Sequence, residues 1–315
     1  MRKMAWFFSI WFLLGAFFDR CPVQGQAQTK TEDQQGQPVM EAVNVLFRYS
    51  PELAVLIVRL RGTLIPTAGH SIVTFNDAAS FKIAIDAAEM RMSTEQLAAL
   101  MNARITRSPK AQVKNVSISV SGHQLLIDGT MKKGVHVPFH AVADVGISSD
   151  NRVRIDIHQV SVGRLPVKGL LDALGLSVED LVSQQGLKGM SVDGDSFLID
   201  PQTVFPAPHI EAHLSDAKVA KGGIVLLFGT GAPRLTTGEK GNYIAIHGGR
   251  IEYGRDEMFD SDLTMTDTTP ADPFEFYLGQ YWSQMVAGSI KVTPDEALRV
   301  RVPDYSKIAG QPGRR

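Results

Sequence analysis

Residues 116–157 read VSISVSGHQLLIDGTMKKGVHVPFHAVADVGISSDNRVRIDI. Apolar and polar residues alternate along almost all of it. Val116, Ile118 and Val120 point one way, while Ser117, Ser119 and Ser121 point the other. Val135, Val137, Phe139, Ala141, Ala143, Val145 and Ile147 share a side, against His136, His140 and Asp144. Val153, Ile155 and Ile157 repeat the pattern. A period of two puts one strand face on a core and the other in water, as in antiparallel sheets. Asp128-Gly129, Lys133-Gly134 and Ser149-Asp150-Asn151 have the chemistry of the connecting turns. At about 3.3 Å per residue, Val135–Ile147 would span roughly 40 Å, a length that suits a large, strongly curved sheet.

Outward from this stretch, Ala42–Tyr49, Leu53–Thr67 and Phe81–Met92 are rich in strand formers. Ser93-Thr94-Glu95-Gln96 fits a capping box, in which serine and glutamine satisfy otherwise unpaired N–H groups. Leu97, Leu100 and Met101 then make an apolar stripe at i, i+3 and i+4, so a short helix is expected. A second helical stretch is expected over Leu165–Gln184, broken near Gly175, with Leu170, Leu171 and Leu174 among its apolar positions. Ser177-Val178-Glu179-Asp180-Leu181 echoes the first cap and hints at a short internal repeat. A hairpin is expected in Ile210–Gly229. Residues 230–241 (TGAPRLTTGEKG) read as a linker between a main domain, 39–229, and an acidic, β-rich appendage, 242–306, with one helix near Tyr277–Val286. Residues 307–315 read as a disordered tail. The expected class is α+β: a long curved antiparallel sheet wrapped around short amphipathic helices, plus the small appendage.

The N-terminus carries an address. Arg2 and Lys3 precede the uncharged run AWFFSIWFLLGAFF (5–18), and Gly25-Gln26-Ala27 offers a small-x-small exit. These are the parts of a cleaved secretory signal peptide, residues 1–27. A spanning anchor needs about 20 apolar residues, and this run is shorter. Residues 28–38 read as a polar disordered spacer. The expected location is therefore exported, periplasmic or cell-envelope. Cys21, the single cysteine, leaves with the signal, which removes disulfides, thiolate metal sites and a cysteine nucleophile. The remaining chain has 29 basic and 32 acidic residues, which argues against nucleic-acid binding. Its charge is uneven. Lys132, Lys133, Arg152, Arg154, Arg164 and Lys168 cluster within 128–171, while 251–276 carries eight acids against Arg255. The basic stretch suits anionic headgroups and the acidic one an unknown protein partner.

Several motifs bear on chemistry. His136 and His140 have the spacing of helical zinc ligands, but on a strand i and i+4 lie about 13 Å apart. His209, Glu211 and His213 follow Pro206-Ala207-Pro208 and read as outer strand positions, with a polar cleft as the alternative. Gly229-Thr230-Gly231 opens like a nucleotide-binding turn, yet Arg234 stands at the third glycine and no apolar helix follows. Asp193-Gly194-Asp195 sits where a tight turn is expected. Asp256, Glu257, Asp260, Asp262 and Asp267 lack the glycine placement of an EF-hand. The chain contains no G-x-S-x-G nucleophile elbow.

Residues from about Ile83 to Phe228 resemble a bacterial envelope family, the LmeA-like phospholipid-binding proteins. The resemblance runs through Met92-Ser93-Thr94-Glu95-Gln96-Leu97, Met101-Asn102, Gly122, Leu125-Leu126-Ile127-Asp128-Gly129 and Val137-Pro138-Phe139. It continues through Gly163-Arg164-Leu165-Pro166-Val167, Leu198-Ile199-Asp200-Pro201 and Phe205-Pro206. The resemblance implies a tubular lipid-binding-like fold, a curved sheet around helices with lipid in an apolar interior. The chain after Gly241 has no counterpart in it. The expectation that follows is a non-catalytic, cofactor-free protein that binds, and can carry, phospholipid or another acyl-chain ligand, with peripheral membrane contact. Leu97, Leu100, Met101, Val137, Phe139, Leu170, Leu171 and Leu174 would line the groove, and Lys132, Lys133, Arg164 and Lys168 would meet the headgroup. Two alternatives remain. One is a structural or assembly factor with a filled core. The other is a hydrolase or transferase of envelope lipids or glycans.

Overall fold

In the computed structural model, residues 36–105, 113–133, 135–163, 165–167 and 189–309 are described. The signal segment, most of the spacer, residues 168–188 and the last six residues lie outside them. The chain opens with strands β1 (Val39–Arg48), β2 (Ala54–Pro66), β3 (Val73–Thr74) and β4 (Phe81–Ser93), then helix α1 (Thr94–Ile105). Strands β5 (Val113–Ser121), β6 (Gln124–Lys133), β7 (Val135–Ile147), β8 (Val153–Val162) and β9 (Leu165–Val167) follow. Next come β10 (Met190–Asp193), β11 (Ser196–Ile199), helix α2 (Pro201–Val204), β12 (His209–Glu211), β13 (Leu214–Ala220) and β14 (Gly223–Gly229). The C-terminal part holds β15 (Tyr243–His247), β16 (Arg250–Tyr253), β17 (Asp256–Phe259), β18 (Asp262–Asp267) and β19 (Phe274–Tyr277). Helix α3 (Tyr281–Ala287), β20 (Ser289–Val292), β21 (Leu298–Val302) and helix α4 (Tyr305–Ile308) complete it.

The fold is mostly β, with few short helices. An eleven-stranded mixed sheet runs β13-β14-β4-β2-β1-β15-β18-β21-β20, with β12 added to β4 and β19 to β1. A separate antiparallel sheet runs β10-β11-β8-β7-β6-β5, with β9 on β8. Strands β17-β16-β3 form a third, small sheet. The expected α+β balance therefore shifts toward β, and the large sheet is mixed because β19, β12 and β21 pair in parallel with β1, β4 and β18.

The quoted stretch forms β5 to β8, and its alternation is the burial pattern. Phe139, Ala141 and Ala143 are buried, while His136, His140 and Asp144 are exposed. One turn differs from expectation. Asp128-Gly129 lies inside β6, and the chain reverses instead around Gly122. Gly129 pairs directly with Phe139 on β7, and a Cβ on Gly129 would stand 2.6 Å from the Phe139 ring. Glycine is needed there for close approach rather than for a turn. Leu165–Val167 is a strand on β8 rather than the start of a helix, and the rest of that expected helix lies outside the described residues.

The segment expected as an appendage continues the large sheet. β15 pairs with residues 39–43 of β1, and β19 with residues 45–48. Asn44, between the two partners, adopts φ of 49°, a conformation asparagine tolerates better than most residues, and its amide donates to Asn242 Oδ1 at 2.8 Å. The expected linker is a strap clamped on β1. Glu41 is fully buried and accepts from the backbone and hydroxyl groups of Thr236 and Thr237 at 2.7–3.0 Å, and from Arg61 at 2.6 Å. Lys307, expected in the disordered tail, lies on α4 and bonds Asp304 and Thr269.

Two asparagines tie separate elements together by imitating a backbone partner. Asn102 of α1 donates to Val116 O and accepts from Val116 N, at 2.7 and 3.0 Å. Asn151, in the β7–β8 turn, does the same to Leu214 of β13, at 2.9 and 3.0 Å, and so joins the antiparallel sheet to the large one. The expected capping box is present: Gln96 N donates to Ser93 Oγ at 3.2 Å, and Ser93 N to Gln96 Oε1 at 2.9 Å. It fixes the start of α1 and directs Leu97, Leu100 and Met101 into the core.

Candidate functional site

The antiparallel order β1-β2-β4-β14 lines up one residue from each strand. Leu46 is opposite Leu56, Leu56 opposite Arg91, and Arg91 opposite Val225. Directly opposed residues share a sheet face, so this row lays apolar side chains on either side of one arginine. Around it opens a cleft of about 490 Å³, which Pro273 also borders, while the side chains of Met92 and Ile224 point to the other face of the sheet. The cleft is about half open to solvent, a surface groove rather than an enclosed cavity.

The polar part of the cleft is built by the end of β4 and the β13–β14 turn. Thr94 N donates to Gly222 O at 3.1 Å, which holds the turn against the first residue of α1. Lys221 is carried beside it, exposed, and makes no ion pair among the described residues. Arg91 is bonded to Glu89 at 2.7 and 3.0 Å. Gln96 also lines the cleft, with its side-chain oxygen engaged by the capping box. The arrangement offers an oily wall next to one available ammonium group, which is the chemistry of an amphiphile with an anionic end.

The cleft is not where the sequence reading placed a groove. Leu97 and Leu100 are buried and border a void of only about 10 Å³, together with Met92, Val153, Ile224 and Leu226. A cavity of that size holds about one water and no acyl chain. Met101 is equally buried. Phe139 is buried over Gly129, and Val137 is half-buried. Leu170, Leu171, Leu174, Arg164 and Lys168 lie outside the described residues. Lys132 and Lys133 are on β6, but their side chains are outside the described part. Arg152 and Arg154, from the same basic stretch, are engaged by Asp150 and Asp156. Burial was foreseeable for the leucine stripe; the cleft row depends on a register between four strands that no local pattern encodes.

Other candidates are placed as follows. His136 and His140 are on one strand; His140 bonds Asp128, and His158 bonds Asp144 at 2.6 Å, all on the wet face of the antiparallel sheet. The hydrogen bond from Gln124, then that from His158, lowers the Asp144 carboxyl below its ordinary range. His209 and Glu211 lie on β12, where Glu211 pairs with Lys82. Gly194 turns the β10–β11 hairpin, as expected. Several acids of the 251–276 stretch pair with this chain's own bases. Glu257 pairs with Arg250, Asp262 with Arg299 and Glu275 with Arg48. The carboxylates that do meet, within 4.8 Å, are Asp267, Asp272 and Asp304. There the Lys307 ammonium bonds Asp304 at 2.7 Å and Thr269 at 2.6 Å, so the cluster already has its own cation. No helix among the described residues is long and apolar enough to cross a membrane.

No family model, curated protein or solved structure matches this chain.

Proposed function

We propose that the protein is exported to the bacterial envelope and binds an anionic acyl-chain lipid, of the phospholipid class, without catalysing a reaction. The observation that carries the reading is the cleft. It joins the Leu46–Leu56–Val225 row to Lys221 at the capped start of α1. Each CH2 of a chain that the groove covers completely contributes about 0.8 kcal/mol, and no reactive group is required. Lys221 would set the polarity by meeting the phosphate. The export signal and the resemblance of residues 83–228 to lipid-binding proteins support the same reading. The finer architecture, a curved sheet wrapped around helices, belongs to this proposal.

The test is solvent extraction of the purified protein together with uptake of a fluorescent phospholipid. Stoichiometric lipid and saturable uptake are expected. Leu56→Glu and Lys221→Glu should each reduce uptake, the first by placing a charge in the oily wall. Lipid-free protein that also fails to take up the probe overturns the reading.

The void of about 10 Å³ behind Leu97 and Leu100 favours a second reading, a structural or assembly factor whose interior is filled. It expects no bound lipid and full thermal stability without any.

A further inference from the structure

Strand β20 (Ser289-Ile290-Lys291-Val292) is exposed at every residue and ends the order of the large sheet. One of its edges pairs with β21, with Ser289 opposite Arg301, Ile290 opposite Val300, Lys291 opposite Arg299 and Val292 opposite Leu298. Thr293 N donates to Ala297 O at 2.9 Å, so residue 293 turns its main-chain groups toward β21. In an antiparallel ladder these groups alternate in direction along the strand. Those of Lys291 and Ser289 therefore also face β21, and the N–H and C=O of Ile290 and Val292 face the open edge. Among the described residues no strand pairs with that edge. Such a row of groups is a template for one more strand.

The edge has two unlike faces. Ile290 and Val292, both more than half exposed, share one face with Val300 and Leu298. Lys291 is on the other face with Arg299 and Arg301. Arg299 is engaged by Asp262 at 2.8 and 3.1 Å, while Lys291 and Arg301 make no ion pair among the described residues. Trp282 and Val286, about half exposed, stand one helical turn apart on α3, which leads directly into β20. The inner side of α3 is anchored by Gln284, which bonds Glu275 O, Pro303 O and Tyr277 N at 2.8–2.9 Å.

We infer that β20 takes up an extended peptide segment whose residues alternate apolar and acidic, as an added strand of the large sheet. Its main chain bonds Ile290 and Val292, its apolar side chains lie beside theirs, and its carboxylates meet Lys291 and Arg301. Only a strand satisfies main-chain groups along an edge. The side chains of a strand alternate between faces, so one such segment meets the apolar face and the basic face together. A surface approaching from one side meets only one of them. The area agrees. Four half-exposed side chains present roughly 400 Å², close to the roughly 450 Å² of apolar surface on one side of a standard protein interface. Charge disfavours a second copy of this chain. Any antiparallel β20–β20 register that keeps the apolar faces together gathers Lys291 and Arg301 of both copies on the other face. The acids nearest in sequence, Asp295 and Glu296, lie in the β20–β21 turn instead. The inference depends neither on the cleft nor on a lipid.

Residues 28–315 contain the whole compact unit and its core. This protein is titrated into a fluorescein-labelled peptide of about eight residues, alternating valine and glutamate, and binding is followed by anisotropy. Saturable binding is expected, and a peptide of the same composition with its valines and glutamates in separate blocks should not bind. Methylating the main-chain nitrogens along one edge of the alternating peptide, those of its valines or those of its glutamates, should abolish binding, and along the other edge should not. Lys291→Glu with Arg301→Glu should weaken binding about tenfold or more and transfer the preference to an alternating valine–lysine peptide. Ile290→Ser with Val292→Ser, both at exposed positions, should keep the circular dichroism spectrum and weaken binding as much. No binding of the alternating peptide overturns the inference, as does equal binding of the block peptide or of both methylated forms. A charge-reversed variant that binds like the parent overturns it too. So does a parent that is dimeric by light scattering and becomes monomeric with Ile290→Ser and Val292→Ser, which would assign the edge to a second copy. Leu56→Glu closes the cleft and should leave peptide binding unchanged; loss of binding there would place the peptide in the cleft and overturn the inference.

Discussion

Replacing Glu41 with glutamine tests the clamp that holds residues 230–241 on the sheet. Glu41 is fully buried on β1, and five donors converge on its two oxygens: Thr236 N and Oγ1, Thr237 N and Oγ1, and Arg61 Nη1. Burial alone would raise its pKa. The hydrogen bonds, led by that from Thr237 N, outweigh burial and lower it from 4.5 to about 2. A shift of about 2.5 units corresponds to about 3 kcal/mol favouring the charged form in the folded state. Because the folded pKa is depressed, this stabilisation is fully present above pH 4.5 and is lost as pH falls toward 2. By pH 3 about 2 kcal/mol of it is gone. Glutamine has no titration and turns an N–H2 toward a site that contains only donors. The expected loss is therefore about 3 kcal/mol at pH 7 and about 1 kcal/mol at pH 3, measured by urea unfolding of parent and variant at both values. Other carboxylates titrate in both proteins, so the difference isolates Glu41. A loss that is the same at the two pH values, or under 1 kcal/mol at pH 7, would refute the reasoning.

Three further outcomes follow from the packing. Asn151→Ala removes both bonds to Leu214 and leaves an N–H and a C=O unmatched between the sheets; a loss of about 2–4 kcal/mol is expected, with faster amide exchange at Leu214 than at Ile118. Gly129→Ala forces the Phe139 ring to shift, since the new Cβ would stand 2.6 Å from it, and should lower stability by about 1–3 kcal/mol in thermal unfolding. Leu100→Ala should cost about 2–5 kcal/mol by urea unfolding, because its neighbours already enclose it; a cost under 1 kcal/mol would mean that the site is looser than its burial indicates.

Much of the strand content is legible locally. The alternation in 116–157 fixes which side chains of β7 are buried, because a one-residue slip would reverse every one of them. The Ser93–Gln96 cap marks the start of α1 to the residue, since both of its hydrogen bonds are local. Asp128-Gly129 misleads because a glycine signals two things, a turn or a close approach, and only the partner strand decides. Phe139 occupies the space that a Cβ on residue 129 would take. The acidic composition after Gly241 suggested a separate unit. Its Glu275 instead reaches back to Arg48, and β15 pairs with β1 across just over two hundred residues of sequence. Composition describes what a segment contains, whereas sheet membership depends on which edge remains to be paired.

The same distinction governs the site. An apolar helix stripe such as Leu97, Leu100 and Met101 looks identical in sequence whether it lines a groove or fills a core. Here it is enclosed by Met92, Val153, Ile224 and Leu226, from strands that are not its sequence neighbours, with the exception of Met92. Conversely, Leu46, Leu56 and Val225 read as ordinary strand residues, one from each of three segments. They become one row only because the β1–β2 and β2–β4–β14 registers bring them level, with Arg91 between Leu56 and Val225. A bulge in β2–β4, between Ile57 and Arg59, sits immediately beside that row and shifts the pairing beyond it by one residue. Deleting Val58 would remove the bulge and leave β2–β4 in step, but it would shift β2 by one residue against β1, where Val43 and Val45 oppose Arg59 and Ile57. The cleft is therefore a property of register, and changes that alter register should abolish lipid uptake before they abolish the strands themselves.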